Sequence, residues 1–264
     1  MHRMIGAVLV AAALWLAAVP AALGEEHVKV GISGGDGEEI WARVREIAKR
    51  QGLIVDVVVI NDYMLPNAGL NDGDLDANAF QHKPYLEGEV RARGYRIVPL
   101  CDTIVEPIGL YSRRFHKLAE LPDGATIGIP NNPSNGGRAL LLLQQEHLLT
   151  LRPGTGILPT VRDITSNPHR LKFTELDSAQ LPRSLPDLDA AVINTNYALD
   201  AHLNPARDAL AIESRTNNPY GNIIAVRAAD KDRPVFRKLC AAYQNDEIRQ
   251  FILKRFDGAI LPVF

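Results

Sequence analysis

Along this chain the spacing of apolar positions switches repeatedly between two periods. "VKVGIS" (28–33) and "LIVDVVVI" (53–60) are β-rich runs of strand length, and between them "EEIWARVREIAKRQG" reads as an amphipathic helix that stops at Gly52. "LDANAF" then predicts a strand, "KPYLEGEVRARG" a helix and "YRIVPL" a strand, while "TIVEPIGLYS" (103–112) is extended chain containing Pro107. A second alternating set follows. "ATIGIP" predicts a strand, the leucine-rich run from Arg138 a helix, "RLKFTEL" a strand, "SAQLPRSL" a helix, "LDAAVI" a strand and the stretch near Tyr197 a helix. "DALAIES", "NIIAVR" and two helical runs from Pro234 to Arg255 complete the chain. Strands alternating with helices predict an α/β protein with mainly parallel sheets covered on both faces. Two such sets, linked by extended chain near 104–112, predict two lobes. Periodicity does not say which lobe receives the C-terminal segment.

The first 24 residues break this pattern. "MHRMIGAVLVAAALWLAAVPAALG" has a basic start at Arg3, an apolar run from Ile5 to Leu23 and a small-x-small end at Ala22-Leu23-Gly24, which reads as a cleaved signal peptide. An uncleaved anchor is the rival, since the apolar run is just long enough to span a bilayer; Pro20 and the small residues near its end favour cleavage. The remainder has ordinary globular composition, 46% hydrophobic and 23% charged, over a length that suits two modest domains. A formal net charge of −2 gives no electrostatic case for nucleic acid or an acidic membrane surface. Cys101 and Cys240 are the only cysteines; an oxidising compartment permits a disulfide between them, and two separate buried thiols fit as well.

The chemistry concentrates in "NNPSNGGRALLLL" (131–143), where Asn, two glycines and an Arg stand between a strand and a helix. Backbone N–H groups at such a junction favour an anion. A nucleotide phosphate is a poor fit, because Arg138 and Ala139 stand where a P-loop needs Lys and Ser or Thr, and no G-x-G-x-x-G occurs. No G-x-S-x-G, H-E-x-x-H or C-x-x-C is present, so hydrolase and metal-site readings lack their motifs. A carboxylate fits better: Arg138 offers a planar fork, and the glycines admit close backbone approach. Asp-Leu-Asp-Ala also occurs twice, in "DGDLDANAFQH" (72–82) and "PDLDAAVINTNY" (186–197), each time leading into a strand that ends in polar residues. Strand ends of this kind place Phe80, Gln81 and His82 at one ligand-facing edge and Asn194, Thr195 and Asn196 at another. Tyr63, Phe80, His82 and Tyr85 fall near element ends of the first set, where rings suit an apolar or sulfur-bearing side chain. Taken singly, Phe80 or Tyr85 is more often plain core, and His82 more often a satisfied structural histidine than a contact residue.

Four stretches, "DYMLPNAGLNDGDLDANAFQHKPYL", "IPNNPSNGGRALLLLQ", "ELDSAQLPRSLPDLDAAVINTNYA" and "NPYGNIIAVR", closely resemble the NlpA/MetQ family of substrate-binding proteins, which serve methionine-uptake ABC transporters. The likeness runs from about Val28 to Phe264. It implies a two-lobed periplasmic-binding-protein fold of type II-like architecture, with a ligand cleft between the lobes. The expected organisation is a signal peptide over 1–24, one lobe from 25–108 and 216–264, and the other from 109–215. By matching motifs, Arg138 and Asn135 would hold a ligand carboxylate, Asn194 would help fix the amino-acid head, and Tyr63, Phe80, His82 and Tyr85 would surround a thioether side chain. The implied partners are L-methionine or a related small molecule and an ABC permease in the inner membrane, with no cofactor, metal or catalytic residue.

Two departures stand out. Family members are commonly lipoproteins anchored through a Cys directly after the signal peptide, and Glu25 stands there, so a soluble periplasmic protein is expected, or one held by an uncleaved signal. Asn132 occupies a position where an acidic residue is common. The same motifs leave open a receptor for D-methionine, methionine sulfoxide or a methionine-containing dipeptide, and an exported enzyme on the same scaffold acting on an amino-acid derivative.

Overall fold

The computed structural model describes residues 25–264, so the leader read in residues 1–24 lies outside the described residues. The chain begins with β1 (Glu26–Ile32), α1 (Asp36–Arg50), β2 (Leu53–Val59), α2 (Leu65–Asp72), β3 (Ala77–His82), α3 (Lys83–Arg93) and β4 (Ile97–Val105). It crosses to a second sheet and forms β5 (Gly109–Tyr111), β6 (Thr126–Pro130), α4 (Pro133–Gln145), β7 (Thr150–Leu151), β8 (Ile164–Ser166) and β9 (Lys172–Leu176). After these come α5 (Leu181–Ser184), β10 (Ala190–Ile193), α6 (Thr195–Asp200), α7 (Pro205–Asp208) and β11 (Ala209–Ile212). A second crossing leads to β12 (Gly221–Arg227), α8 (Pro234–Tyr243), α9 (Asp246–Phe256) and β13 (Leu261–Pro262).

Strands pair in the order β13-β4-β12-β3-β1-β2 in one sheet and β11-β5-β10-β6-β9 in the other, with β7 and β8 as a separate ribbon. The C-terminal segment therefore belongs to the first sheet, where β12 inserts between β4 and β3. Both sheets are mixed rather than mainly parallel. β1 runs parallel to β2 and β3, and β6 to β9 and β10, but β12 is antiparallel to β3 and β4, as β5 is to β10 and β11. β12 and β5 are the strands by which the chain enters a sheet from the other lobe, without a helix packed on the same sheet to turn it around, and the short edge strand β13 is antiparallel to β4 as well.

Helical spacing puts Ile40, Trp41, Val44 and Ile47 of α1 on one face, where they join Phe236, Leu239, Ile248 and Ile252 of α8 and α9 in the core beneath the first sheet. Full burial of each such side chain stabilises by about 1.5–3 kcal/mol. The first turn of α1 is acidic and its last turn basic, which suits the helix dipole. The sheet's other face is covered by a smaller cluster that includes Leu70 of α2 and Leu86 of α3. In the second lobe, Leu140, Leu142 and Leu143 of α4 pack with Ile127, Ile129 and Val192 from the strands. Cys101 on β4 and Cys240 on α8 form a disulfide across a sequence separation of 139 residues, resolving the two readings of the cysteines in favour of the bond.

Two local expectations change. α2 lies in "LPNAGLND", a stretch without a clear period; Pro66 is tolerated in its first turn, and Gly73 ends it at φ 91°. α4 begins at Pro133 rather than at Arg138, capped by the Asn132 side chain, which accepts from the Asn135 N–H. Gly136 and Gly137 thus lie inside the helix, not in a turn before it. A Cβ on Gly136 would stand 2.7 Å from the Pro130 carbonyl oxygen, and one on Gly137 would stand 3.0 Å from the Ile157 carbonyl oxygen. The close approach that these glycines permit is to the protein's own backbone.

Candidate functional site

Carboxyl ends of strands from both sheets face each other across a cleft. β3 delivers Phe80, Gln81 and His82, and the helix it runs into, α3, adds Tyr85. Tyr63 comes from the loop after β2, Asn135 and Arg138 from the start of α4, and Asn194 from the end of β10, where it caps α6. The seven residues that the resemblance marks as ligand-binding line one cavity, together with Gln81, Thr195 and Asn196 from the strand ends and with Glu106 and Asn222. Its residues span 63–222 in sequence. The repeated Asp-Leu-Asp-Ala motif leads into β3 and β10, whose ends meet there from opposite sides.

The first lobe supplies an aromatic wall. The rings of Tyr63, Phe80 and Tyr85 pack mutually with centroids 5.7–6.1 Å apart, and Tyr197 of the second lobe lies 4.8 Å from Tyr63. Burial raises the phenol pKa values of Tyr63, Tyr85 and Tyr197, so these rings stay neutral. The Tyr85 hydroxyl donates to the Tyr63 carbonyl at 3.1 Å. Across the cleft, the Tyr63 hydroxyl donates to Asn196 Oδ1 at 2.6 Å and the Tyr197 hydroxyl to the Asn61 carbonyl at 2.8 Å.

His82 borders both sides: its ring stands edge-on to Tyr85, with centroids 6.2 Å apart, and its nitrogens face polar groups. Its Nδ1 accepts from the Tyr85 N–H at 3.1 Å, which places the proton on Nε2, and Nε2 lies 3.2 Å from Asn135 Oδ1. Burial first, and then the charge of Arg138, push His82 down to a pKa of about 3, so the ring is neutral near neutral pH. Asn194 Nδ2 donates to the same Asn135 oxygen at 3.1 Å. With that oxygen doubly engaged, the Asn135 amide nitrogen is the group available to a ligand.

Arg138 is nine-tenths buried, yet its fork does not point freely into the cleft. Nε and Nη2 bind the two oxygens of Glu213 at 2.8 and 2.6 Å, Nη2 also donates to the Glu106 carbonyl at 2.7 Å, and the guanidinium stands 4.4 Å over the Tyr220 ring. The two-pronged clamp expected from the sequence is thus made with Glu213. Nη1 makes no hydrogen bond among the described residues and is the edge left for an anion.

Several buried polar atoms here have no partner among the described residues: Asn194 Oδ1, Glu106 Oε1 and Asn196 Nδ2. Each orphaned group of this kind costs about 1–3 kcal/mol, so a pocket lined with them is built to pair with something polar. Acceptors on Asn194 and Glu106 suit a cation; donors on Asn196, Asn135 and Arg138 suit a carboxylate. Glu106 Oε2 accepts from Asn222 Nδ2 at 2.6 Å, and burial pushes the Glu106 carboxyl up to a pKa of about 7 against the pull of Arg138 and Asn222. Sequence reasoning did not single out Glu106, Asn222 or Glu213. A lone charge between apolar runs, just before Pro107, was the signal for Glu106; nothing local marks Glu213. Among the described residues no group of three or more His, Cys, Asp or Glu side chains is placed to hold a metal ion.

Comparison with known proteins places this geometry in context. The family model described as NlpA lipoprotein matches residues 28–264. The D-methionine-binding lipoprotein MetQ of Escherichia coli K12 is 46% identical over 235 residues, covering 88% of this chain and 86% of the relative. Among solved structures, a nutrient binding protein from Burkholderia cenocepacia bound to methionine is 53% identical with a TM-score of 0.87, covering 90% of this chain and 100% of that one. A crystal structure of the methionine binding protein MetQ is 44% identical with a TM-score of 0.88, covering 90% and 98%. The two-lobed architecture is shared with these structures.

Proposed function

The chain belongs to the NlpA lipoprotein family, and from that premise we propose that it is a non-catalytic receptor that binds methionine between its lobes and delivers it to an ABC importer. One observation carries the reading. Unpartnered acceptors and donors face one another in a buried cleft beside an aromatic wall. A zwitterionic amino acid pairs with both sets at once. Its carboxylate meets Arg138 Nη1, Asn135 and Asn196, its ammonium meets Asn194 Oδ1 and Glu106, and its side chain lies among Tyr63, Phe80 and Tyr85. His82 holds Asn135 in register. The cross-lobe bonds Tyr63–Asn196 and Tyr197–Asn61 are those that hinge opening breaks and ligand closure restores.

On this reading the receptor works in the periplasm without a lipid on residue 25, since Glu25 stands there and both cysteines are engaged with each other. The decisive experiment is mass spectrometry of the small molecules released on denaturing purified protein, followed by calorimetric titration with L-methionine. Stoichiometric methionine, or 1:1 binding, supports the receptor. D-methionine, methionine sulfoxide or a dipeptide binding far more tightly keeps the clamp and changes its cargo. Turnover of an amino-acid derivative in place of reversible binding favours the enzyme.

A further inference from the structure

Behind the ligand cleft lies a second, smaller chamber. Its polar lining is Ser33, Asp36, Thr103, Glu106, Asn222 and Tyr243, and it shares Phe80, Glu106 and Asn222 with the cleft. Asp36 opens α1 and is 3% exposed; among the described residues its Oδ1 has no hydrogen-bond partner. Glu106 Oε1, in the wall between the two spaces, is likewise unpartnered. Two buried carboxyl groups therefore line one chamber, each with a bare oxygen. The charges that act on them are mostly of their own sign. Asp36 feels Glu106, Asp200 and Glu39, while the neighbouring Tyr63 and Tyr243 are neutral phenols. The one cation acting on Glu106 is Arg138, and its fork is already held by Glu213. Burial first, and then the charge of Glu106, push the Asp36 carboxyl well above the usual range, against the pull of its own backbone N–H.

We propose that Asp36 and Glu106 act as one two-carboxyl unit at the ammonium end of the binding site, which carries an exchangeable proton and surrenders it to solvent when the cationic head of a ligand reaches Glu106. The proposal rests on the amino-acid receptor reading above. The O–H bond of the Glu106 carboxylic acid breaks, its proton passes to the buffer, and the carboxylate left behind pairs with the incoming ammonium. Two buried carboxyls that share a chamber cannot both ionise cheaply. Glu106 gives up its proton first and Asp36 keeps its own, because the charge left on Glu106 pushes the Asp36 carboxyl higher still. The ammonium then supplies a partner for the bare Glu106 oxygen.

The test is calorimetric titration of L-methionine into the whole protein at several pH values, in phosphate, imidazole and Tris, whose ionisation heats differ. Release of about half a proton is expected at pH 7, because Glu106 is half-protonated near that value. Below pH 7 affinity should weaken by up to about tenfold per pH unit. In Glu106→Gln, proton release at pH 7 should vanish and affinity should no longer fall below pH 7, whatever its level. Infrared difference spectra at pH 7 should show one protonated-carboxyl band lost on ligand addition in the wild type but not in Glu106→Gln, and a second, retained band that Asp36→Asn lacks. Proton release or an acid limb that survives in Glu106→Gln overturns the proposal. Should Glu106→Gln fail to fold, wild-type heats that do not depend on the buffer overturn it equally. Absence of methionine binding at any pH brings down the receptor reading, and the proposal with it; buffer-independent binding brings down the proposal alone.

Discussion

The two lobes bring opposite chemistry to the cleft. From the first come three mutually packed rings, Tyr63, Phe80 and Tyr85, of which Tyr63 also meets Tyr197 and Asn196 of the second. From the second come Asn135, Arg138, Asn194 and Asn196, whose amide and guanidinium groups satisfy one another only in part. A pre-packed apolar wall costs nothing to keep ready, whereas a half-paired polar wall does. On the receptor reading the rings of the first lobe meet the ligand side chain, while the head group is met from both lobes, since Glu106 and His82 belong to the first. Covalent support is uneven too: the Cys101–Cys240 bond ties α8 to β4 in the first lobe, and the second contains no cysteine.

Reducing that disulfide should have the largest effect. For a loop this long, the chain-entropy model gives a loss of about 5 kcal/mol. Hydrogen exchange should then show the first sheet losing protection well before β6, β9 and β10; uniform loss across both sheets would mean that the lobes unfold as one unit. Next, Arg138→Ala should weaken methionine binding by about 2–5 kcal/mol, part of which reflects Glu213 left buried without its partner. Unchanged affinity by calorimetry would take Arg138 out of the head-group site, and the melting temperature reports the stranded Glu213 separately.

Phe80→Ala tests the other wall. It should cost methionine about 1.5–3 kcal/mol while leaving alanine, which does not reach the rings, nearly unaffected. Equal losses for the two amino acids would mean that Phe80 shapes the lobe rather than the ligand pocket. The last concerns His82, whose effect is small near neutral pH and builds up only with acid. Its pKa is near 3 in the fold and ordinary in the unfolded chain, so below about pH 6.5 the unfolded state takes up a proton that the native state refuses. Stability should therefore fall with decreasing pH, by up to about 1.4 kcal/mol per unit, between roughly 6.5 and 3. In His82→Gln this contribution should be absent; an unaltered acid profile in denaturant titrations would place the acid sensitivity elsewhere.

Much of the architecture is legible along the chain because its causes are local. Burial of one helix face or of a central strand imposes a period, which is why α1, α3, β1, β2 and β10 stand where the apolar spacing puts them. The repeated Asp-Leu-Asp-Ala motif marks the two strand ends that meet at the cleft, and the seven residues taken from the motifs converge on one cavity. Local signals fail where a choice depends on what arrives from elsewhere. α4 starts at Pro133 behind its Asn132 cap, and the two glycines inside it are there because the carbonyls of Pro130 and Ile157 leave no room for a Cβ, a crowding that the run itself does not show. Arg138 spends its fork on Glu213, 75 residues away, and Cys101 meets Cys240 across 139. Asp36 and Glu106 read as an ordinary first-turn acid and a stray charge until the chain closes one chamber around both. Sequence alone determined the elements, the class of fold and the chemistry brought to the cleft. Tertiary structure decided which charges are neutralised and which carboxyls must share a space, because burial and distance are properties of the folded chain and set the cost of every charge within it.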